Sequence, residues 1–273
     1  MWNPPLASDG VEDGVLVRFW FPPYLNERHL QVYPLLINVV SVNGMQAPGQ
    51  ERLLDELAVF LSASLNVITM RVQNWIGRAL IRVIKEGIDG EIFNYRLLLQ
   101  SLKDHYYYIR WDNIGLVGAH GIHAHLAGLL LREEWMPLNL TCAALLSPVV
   151  SWALQGFQDA ARVFDPRDEY KHLEYDLTKW THLYRNKDIF LIYGTADTIV
   201  PYQSTAKFVS ALAEKGVQYS MLPLFDADHE YAERQDLKES LLTRLSVFLC
   251  DCLRSKDTAR ANLYRRLHME GPA

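Results

Sequence analysis

The feature of this sequence that most constrains its fold is the regular alternation of short apolar runs with longer amphipathic stretches. Five runs are almost continuously apolar and rich in β-branched residues or leucine: 34–40, 66–72, 113–118, 141–146 and 188–193. Five stretches carry a helical period: 52–62, 91–103, 124–132, 202–215 and 235–253. A continuous apolar run is typical of a parallel strand covered on both faces, whereas a half-exposed antiparallel strand alternates. We therefore predict an α/β fold, doubly wound, with a mostly parallel sheet and helices on both faces.

The N-terminal part departs from this alternation, because two strand-like runs follow each other there. We expect residues 15–21, which end at Pro22 and Pro23, to pair with residues 33–40 as an N-terminal meander. After the last helical stretch the apolar periodicity stops, and residues 254–273 lack it. The sequence thus predicts a single domain over residues 1–273, with its core at about 15–253.

Composition excludes several classes of protein. Of the 273 residues, 49% are hydrophobic and 22% are charged, which suffices for a full core without disulfides or metal. The formal net charge is −5, so the chain has no basic footprint for nucleic acid or anionic lipid. No window has the roughly 18 to 20 apolar residues of a membrane helix, and residues 1–10 do not resemble a signal peptide. No Gly-x-Gly-x-x-Gly or Walker loop occurs, so nucleotide binding has no support, and we expect no cofactor. From the charge and the apolar windows we expect no nucleic-acid partner and no direct membrane insertion by this chain.

One turn has the pattern of a catalytic nucleophile. Residues 113–126 contain a predicted strand, a glycine-rich turn and the start of a helix, in that order. In α/β hydrolases such a strained turn presents the nucleophilic serine of a Gly-x-Ser-x-Gly motif. Here residues 118–122 read Gly-Ala-His-Gly-Ile, so that His120 stands in the serine position and the second glycine is missing. An imidazole cannot replace the hydroxyl as the acylating group of this chemistry.

Two further polar residues follow predicted strands. Asp197 lies in a glycine-containing turn after the run 188–193, where an orienting carboxylate is expected. His229 lies in a loop before the last helical stretch. The chain order of turn, acid and histidine is the order found in α/β hydrolases. Alone, each residue is typical of an ordinary turn or loop, but their order and positions together favour a hydrolase-derived site.

Five segments form a set that is more specific than any one motif: Tyr33-Pro-Leu-Leu-Ile-Asn-Val, Trp111-Asp-Asn-Ile-Gly-Leu-Val-Gly118, Thr141-Cys-Ala-Ala-Leu-Leu-Ser-Pro148-Val, Gly194-Thr-Ala-Asp197 and Asp226-Ala-Asp-His229. Together they resemble the C-terminal α/β-hydrolase domain of the dipeptidyl peptidase IV family, in the prolyl oligopeptidase group. The resemblance runs from about Phe19 to Leu253 and is most specific in the last two segments. The family's N-terminal β-propeller and its membrane anchor have no counterpart in this sequence.

The resemblance implies roles for residues at the matching positions. Asp197 and His229 match the acid and the base of the family's catalytic triad, and His120 stands at the nucleophile. The other matched positions have also changed: Val40 replaces a tyrosine of the oxyanion hole, Gln155 and Asp159 replace two tyrosines of the substrate pocket, and Ile199 replaces the asparagine after the triad acid. The resemblance therefore implies an inactive member of the family. In it, Asp197 and His229 remain as a hydrogen-bonded pair that fixes two loops.

The cysteines bear on the compartment. Three cysteines allow at most one disulfide within the chain, and the count alone does not decide which two are joined. The resemblance implies a bridge between Cys142 and Cys252, which leaves Cys250 free. Asn139 begins an Asn-x-Thr acceptor for N-glycosylation. By resemblance we expect the extracellular or cell-surface side of a membrane, where such a bridge persists.

We predict a peptidase-like domain that does not hydrolyse peptide bonds and that keeps a binding or accessory role. By resemblance its partner is a membrane protein or another peptidase-like subunit, and a homodimer is compatible with the sequence. The alternative is an active serine-type dipeptidyl peptidase whose nucleophile lies elsewhere. Ser147 and Ser151 are the nearest serines downstream, and neither lies in such a turn.

Metal binding by histidine is a further alternative. His120 and His123 share one face of the predicted helix, and with His229 and Asp197 they form a candidate ligand set. His125 points elsewhere on that helix, and no second pair of ligands has metal spacing. We therefore expect no metal site.

Overall fold

The sheet is the element that positions every candidate residue. The computed structural model describes residues 14–25, 31–42, 44, 48–132, 138–155, 163–164 and 171–253. In these residues seven strands form one sheet: β1 (Gly14–Trp20), β2 (Tyr33–Asn38), β3 (Ile68–Ile76), β4 (Ile109–His120), β5 (Leu140–Pro148), β6 (Asp188–Gly194) and β7 (Tyr219–Leu224). The main helices are α1 (Pro48–Leu65), α2 (Arg78–Glu86), α3 (Ile88–His105), α4 (Gly121–Arg132), α5 (Tyr202–Glu214) and α6 (Gln235–Leu253).

The strand order is β1-β3-β2-β4-β5-β6-β7, and all pairs from β3 to β7 are parallel. Parallel neighbours need crossover connections, so the helices fall on both faces of the sheet. The predicted fold class is confirmed. Each of the five predicted strands and five predicted helices overlaps an observed element.

The predicted N-terminal meander is wrong. β1 pairs antiparallel with β3, from Gly14 opposite Ile76 to Trp20 opposite Thr69, and not with β2. β2 lies between β3 and β4 and is parallel to both. Burial explains the difference, because β2 is almost entirely buried and suits the interior of the sheet, whereas β1 exposes part of its length and takes the edge.

Side chains of successive strand residues fill two separate cores. Leu35 and Ile37 of β2 belong to the cluster beneath α3 and α4, whereas Leu36 belongs to the cluster beneath α1 and α6. The same division continues along β4, where Leu116 and Val117 lie in different clusters. This is why the strands appear in the sequence as continuous apolar runs.

α2, which follows β3 after Gly77, was not predicted. The strand predicted to end before the His229 loop is β7, which forms the edge of the sheet beyond β6. Short helical segments occur at Trp152–Leu154, Lys171–Glu174, Leu177–Tyr184 and Tyr231–Glu233. None of the helices in the described residues combines the length and hydropathy that a bilayer crossing requires.

Candidate active site

The turn between β4 and α4 has the geometry of a strained strand-to-helix elbow. His120, the last residue of β4, has φ 65°, and Gly121 at the start of α4 has φ 51°. A Cβ at Gly118 would lie 2.6 Å from the His123 carbonyl oxygen and 2.7 Å from the Ala124 Cα, so the glycine lets α4 approach β4 closely. A positive φ at a residue other than glycine marks a position held by its surroundings. The elbow predicted from the sequence is therefore present. His120 occupies the position at which α/β hydrolases present the nucleophile.

The His120 imidazole is enclosed. The residue is 3% exposed, and neither ring nitrogen has a hydrogen-bond partner within the described structure. Its ring centroid lies 4.7 Å from that of His229, edge to face, and 4.9 Å from the ring of Tyr231. Burial, and then the neighbouring imidazoles of His229 and His123, hold the pKa of His120 well below its usual value. The imidazole is therefore neutral near pH 7.

Asp197 and His229 meet at the carboxyl end of the sheet. Asp197 follows β6, His229 follows β7, and the His229 Nδ1–H donates to Asp197 Oδ2 at 2.8 Å. The other carboxylate oxygen accepts the backbone N–H groups of Ile199 at 2.9 Å and Val200 at 2.8 Å. Burial raises the pKa of Asp197, but the hydrogen bonds from His229 and the two amides outweigh it, so the pKa lies below its usual value.

The arrangement defines what this site can do chemically. A carboxylate that orients an imidazole is the proton-transfer half of a hydrolytic triad. The group beside that imidazole, however, is the ring of His120 and not a hydroxyl. The structure thus brings together three of the residues singled out in the sequence, without an attacking oxygen among them.

The two serines considered as alternative nucleophiles have other partners. Ser147, buried and at φ 45°, donates to the Tyr231 hydroxyl at 3.3 Å. Ser151 donates to Asp176 Oδ2 at 2.6 Å and accepts from Lys207 Nζ at 3.4 Å. In the described structure neither serine is hydrogen-bonded to His229.

The positions matched to the oxyanion hole and the substrate pocket differ in their surroundings. The backbone N–H of Val40 donates to the Tyr95 hydroxyl at 3.1 Å, and valine supplies no side-chain donor. Ile199 lies next to Asp197, with 57% of the residue exposed. Gln155 ends the short helical segment after β5, and its side-chain nitrogen has no hydrogen-bond partner within the described residues. Asp159 lies outside the described residues.

The histidines of α4 are held by hydrogen bonds within the protein. His123 Nδ1 accepts the Ser41 N–H at 2.9 Å. His125 Nδ1 bonds the Val149 carbonyl at 2.6 Å and therefore carries the proton, and Nε2 accepts from Trp152 Nε1 at 3.1 Å. Burial lowers the pKa of His125 to about 4.

The predicted common helical face of His120 and His123 is wrong, because His120 ends β4. The described residues contain no group of three or more His, Cys, Asp or Glu side chains arranged for a metal ion.

The disulfide joins the centre of the sheet to the last helix. Cys142 of β5 and Cys252 of α6 are bonded, with their Cα atoms 6.4 Å apart, and Cys250 is a free, partly exposed thiol. Asn139, just before β5, is exposed. Glycosylation at Asn139 stays a prediction.

Sequence reasoning missed a group of buried residues behind the elbow. Glu91 and Tyr95 of α3, with His123, accept hydrogen bonds from the loop that follows β2. A signal for them exists in the sequence, because Glu91 and Tyr95 stand one turn apart in a helix whose Leu98 and Leu102 continue the same apolar face. A carboxylate on such a face needs buried partners.

A mostly parallel sheet with a strained turn after β4, an acid after β6 and a histidine after β7 defines an α/β-hydrolase domain. Residues 140–256 match the family model described as the prolyl oligopeptidase family. This part of the chain is therefore similar to that family, and the resemblance predicted from the sequence is confirmed.

Individual relatives agree with this assignment. The chain is 21% identical over 151 residues to the inactive dipeptidyl peptidase 10 of Mus musculus, a match that covers 55% of this chain and 18% of the relative. Its fold is similar to that of the Porphyromonas gingivalis dipeptidyl peptidase 4, with a TM-score of 0.71 and 15% identity over 88% of this chain and 34% of that one. A puromycin-hydrolysing peptidase of Mycobacterium tuberculosis has a TM-score of 0.68 and 16% identity over 88% of this chain and 37% of that one. The chain therefore spans a minor part of the length of these relatives.

Proposed function

We propose that this domain is a peptidase-like fold without peptide-bond hydrolysis, which serves a binding or accessory role. The observation that carries the proposal is the His120 imidazole at the elbow, neutral, buried and beside the Asp197–His229 pair. A triad without its attacking oxygen has nothing for the histidine base to activate. Loss of the nucleophile alone costs about 10⁶-fold in rate in one serine protease, subtilisin.

Two further features support the absence of hydrolysis. Val40 supplies no hydroxyl donor, and removal of one oxyanion donor costs on the order of 10²- to 10³-fold in rate. Ile199 places an exposed aliphatic side chain beside the acid, in a position where the resemblance implies an asparagine. The relative named as an inactive dipeptidyl peptidase is consistent with a loss of this kind.

Hydrolysis assays test the proposal directly. Purified protein should release no product from Xaa-Pro or Xaa-Ala dipeptidyl amides and should not react with a fluorophosphonate probe. The single variant His120→Ser should stay inactive, because the oxyanion donor and the pocket are still missing. A His229→Ala variant and heat-denatured protein serve as controls. Labelling of the native protein that disappears on heating, or turnover by His120→Ser that His229→Ala abolishes, would favour the active-enzyme alternative.

The accessory role and the compartment belong to the same proposal. The Cys142–Cys252 bridge and the exposed Asn139 support an extracellular or cell-surface location for this domain. Expression through the secretory pathway should give a glycosidase-sensitive mass shift that Asn139→Gln removes. Light scattering should then distinguish a monomer from a homodimer. In a homodimer the peptidase-like partner subunit would be a second copy of this chain. Absence of glycan from secreted material would contradict the glycosylation at Asn139.

A further inference from the structure

The two sulfur atoms of the disulfide have different surroundings. Cys142, the third residue of β5, is 0% exposed. A Cβ at Gly115 of β4 would lie 3.4 Å from Cys142 Sγ and equally close to a methyl carbon of Leu36, so this sulfur is packed among apolar groups of the sheet. Cys252, near the end of α6, is partly exposed. A reagent in solvent therefore reaches the bridge from the Cys252 side.

A cavity of about 570 Å³ leads to Cys252. It lies between α6 and the first residues of β6 and β7, and Cys252 is one of the described residues that line it. Pockets that hold small molecules in proteins have volumes of roughly 300 to 1,000 Å³, so this one can admit a molecule of a few heavy atoms. Within the described residues β7 is an edge strand, and no further strand covers this side of the sheet. A small thiol can therefore approach the bridge while the domain stays folded.

The charged side chains that line this cavity are acidic. Asp188, the first residue of β6, is directly opposite Cys142 of β5 in the parallel register. Neighbouring strands lie about 5 Å apart and registered residues share a face of the sheet, so Asp188 stands beside the bridge. Asp251 precedes Cys252 on α6 and lines the cavity as well. No lysine, arginine or histidine occurs among the lining residues that the structure describes.

Two basic side chains at the same end of the sheet bond to backbone groups. Arg110 donates to the Leu253 carbonyl, and Lys187 donates to the Leu140 carbonyl. Neither is among the described residues that line the cavity. The charges facing the approach to Cys252 in the described part of the chain are therefore negative. Such charges repel an anionic reagent more strongly than a neutral or cationic reagent of the same size.

We propose that Cys252 Sγ is a thiol-exchange site that reacts with small neutral or cationic thiols and disfavours anionic ones. A thiolate attacks Cys252 Sγ and forms a mixed disulfide, while the bond to Cys142 breaks and its electron pair leaves on Cys142 Sγ, which takes up a proton. With a dithiol, the second thiolate attacks the reagent's own sulfur, so that the dithiol is oxidised and both cysteines are reduced. Hydrogen bonds from Arg110 and Asn113 then hold the end of α6 without a covalent link. This inference does not depend on whether the domain hydrolyses peptides.

Trapping of the mixed disulfide identifies the sulfur that is attacked. The Cys250→Ser variant removes the free thiol and keeps the bridge. It is exposed briefly to 2-mercaptoethanol under native conditions, quenched with acid, alkylated with N-ethylmaleimide in denaturant and mapped as peptides. We expect the mercaptoethanol adduct on Cys252 and the maleimide on Cys142, in at least tenfold excess over the reverse arrangement. The reverse arrangement, or equal amounts of both, would overturn the proposal.

Three two-carbon thiols of similar size test the role of the charges: cationic cysteamine, neutral 2-mercaptoethanol and anionic 2-mercaptoethanesulfonate. Rate constants per thiolate are divided by those for a small neutral disulfide, which removes the intrinsic differences between the thiols. At low ionic strength we expect this relative rate to be at least tenfold lower for the anionic thiol than for the cationic one, and salt should reduce the difference.

Variants assign this selectivity to the cavity. Asp188→Asn should reduce the difference several-fold. Asp228→Asn, which removes an equal charge from an exposed position beyond the other end of β7, should leave it unchanged. Relative rates that do not depend on the charge of the thiol, or equal effects of the two variants, would contradict the proposed site.

Urea distinguishes attack on the folded domain from attack on an unfolded chain. Access through the cavity requires no unfolding, so the rate of exchange with 2-mercaptoethanol should change less than about twofold up to about 1 M urea, well below the unfolding transition. If the bridge reacted only after global unfolding, the rate would rise about fivefold or more per molar urea, because urea favours the exposed surface of the unfolded chain. A rise of that size would overturn the proposal.

Discussion

The elbow combines the backbone geometry of a strained turn with an imidazole side chain. His120 has the positive φ of such a turn, although this conformation is unfavourable for a residue with a Cβ. The imidazole fills the space between His229 and Tyr231 with ring contacts and makes no hydrogen bond there within the described structure. The side chain at the elbow is thereby packed as part of the interior.

The Asp197–His229 pair should contribute stability in its own right. Asp197→Ala leaves the His229 Nδ1–H and the amides of Ile199 and Val200 without an acceptor, so we expect a loss of about 2–3 kcal/mol in the free energy of unfolding at pH 7. Asp197→Asn should cost less, because its oxygen still accepts the two amides. Asp228→Ala, in the same loop as His229 but exposed, is the control. Urea denaturation measures all three.

The pH dependence of this effect follows from the direction of the pKa shift. Because the pKa of Asp197 in the folded protein lies below its usual value, the stabilisation is complete above about pH 4 and declines as the pH falls further. The difference between the native protein and Asp197→Ala should therefore shrink in acid. A difference that stays constant, or grows, as the pH falls below 4 would contradict the assignment.

The low pKa of His125 predicts a second loss of stability in acid, which begins at a higher pH than that of Asp197. Its pKa of about 4 in the folded protein lies below the value of about 6.5 for an unfolded histidine, so the unfolded chain takes up a proton first. The stabilisation is complete above about pH 6.5 and is lost as the pH falls towards 4, by up to about 3 kcal/mol. An NMR titration of the ring should show His125 still neutral at pH 5.5. A midpoint above pH 6 would contradict the prediction.

At the scale of elements, the alternation of apolar runs and helical periods was sufficient to predict the central part of the sheet. The pairing of β1 could not be predicted in the same way, because it joins residues 49 to 62 positions apart, from Trp20 with Thr69 to Gly14 with Ile76. The group of buried residues behind the elbow was missed for a similar reason. Its donors lie on one loop and its acceptors on two helices, and no local pattern connects Ser41 with Glu91 and His123.

The approach of α4 to β4 gives a prediction at this scale. Gly118→Ala places a Cβ within 3 Å of the backbone of His123 and Ala124, so the helix must move, and we expect a loss of about 3 kcal/mol or no folded protein. Gly121→Ala is the matched control, because a Cβ there meets nothing within 4 Å and only the φ of 51° is strained, at a cost of about 1 kcal/mol. Thermal denaturation compares the two. Equal stability of the variants would contradict the close contact as the reason for the glycine.

The whole molecule depends on two cores that the sheet separates, and the last helix belongs to only one of them. α6 covers the face shared with α1, where Leu241, Leu245 and Leu249 are fully buried. At its C-terminal end Arg110 and Asn113, from the start of β4, bond the carbonyls of Leu253 and Cys252. The disulfide adds a covalent link at the same end, so that the chain's last described helix is attached to the centre of the sheet.

Removal of this link should lower the stability of the whole domain. The bridge between Cys142 and Cys252 spans 110 residues, for which the chain-entropy model gives a stabilisation of roughly 4–5 kcal/mol. We expect Cys252→Ser to lower the unfolding temperature clearly and a reductant to have the same effect on the native protein, whereas Cys250→Ser should have little effect because that thiol is free. Peptide mapping without reduction should recover the segments around residues 142 and 252 as one linked species from secreted protein. Recovery of both thiols free would remove the bridge and, with it, the main structural support for an oxidising compartment.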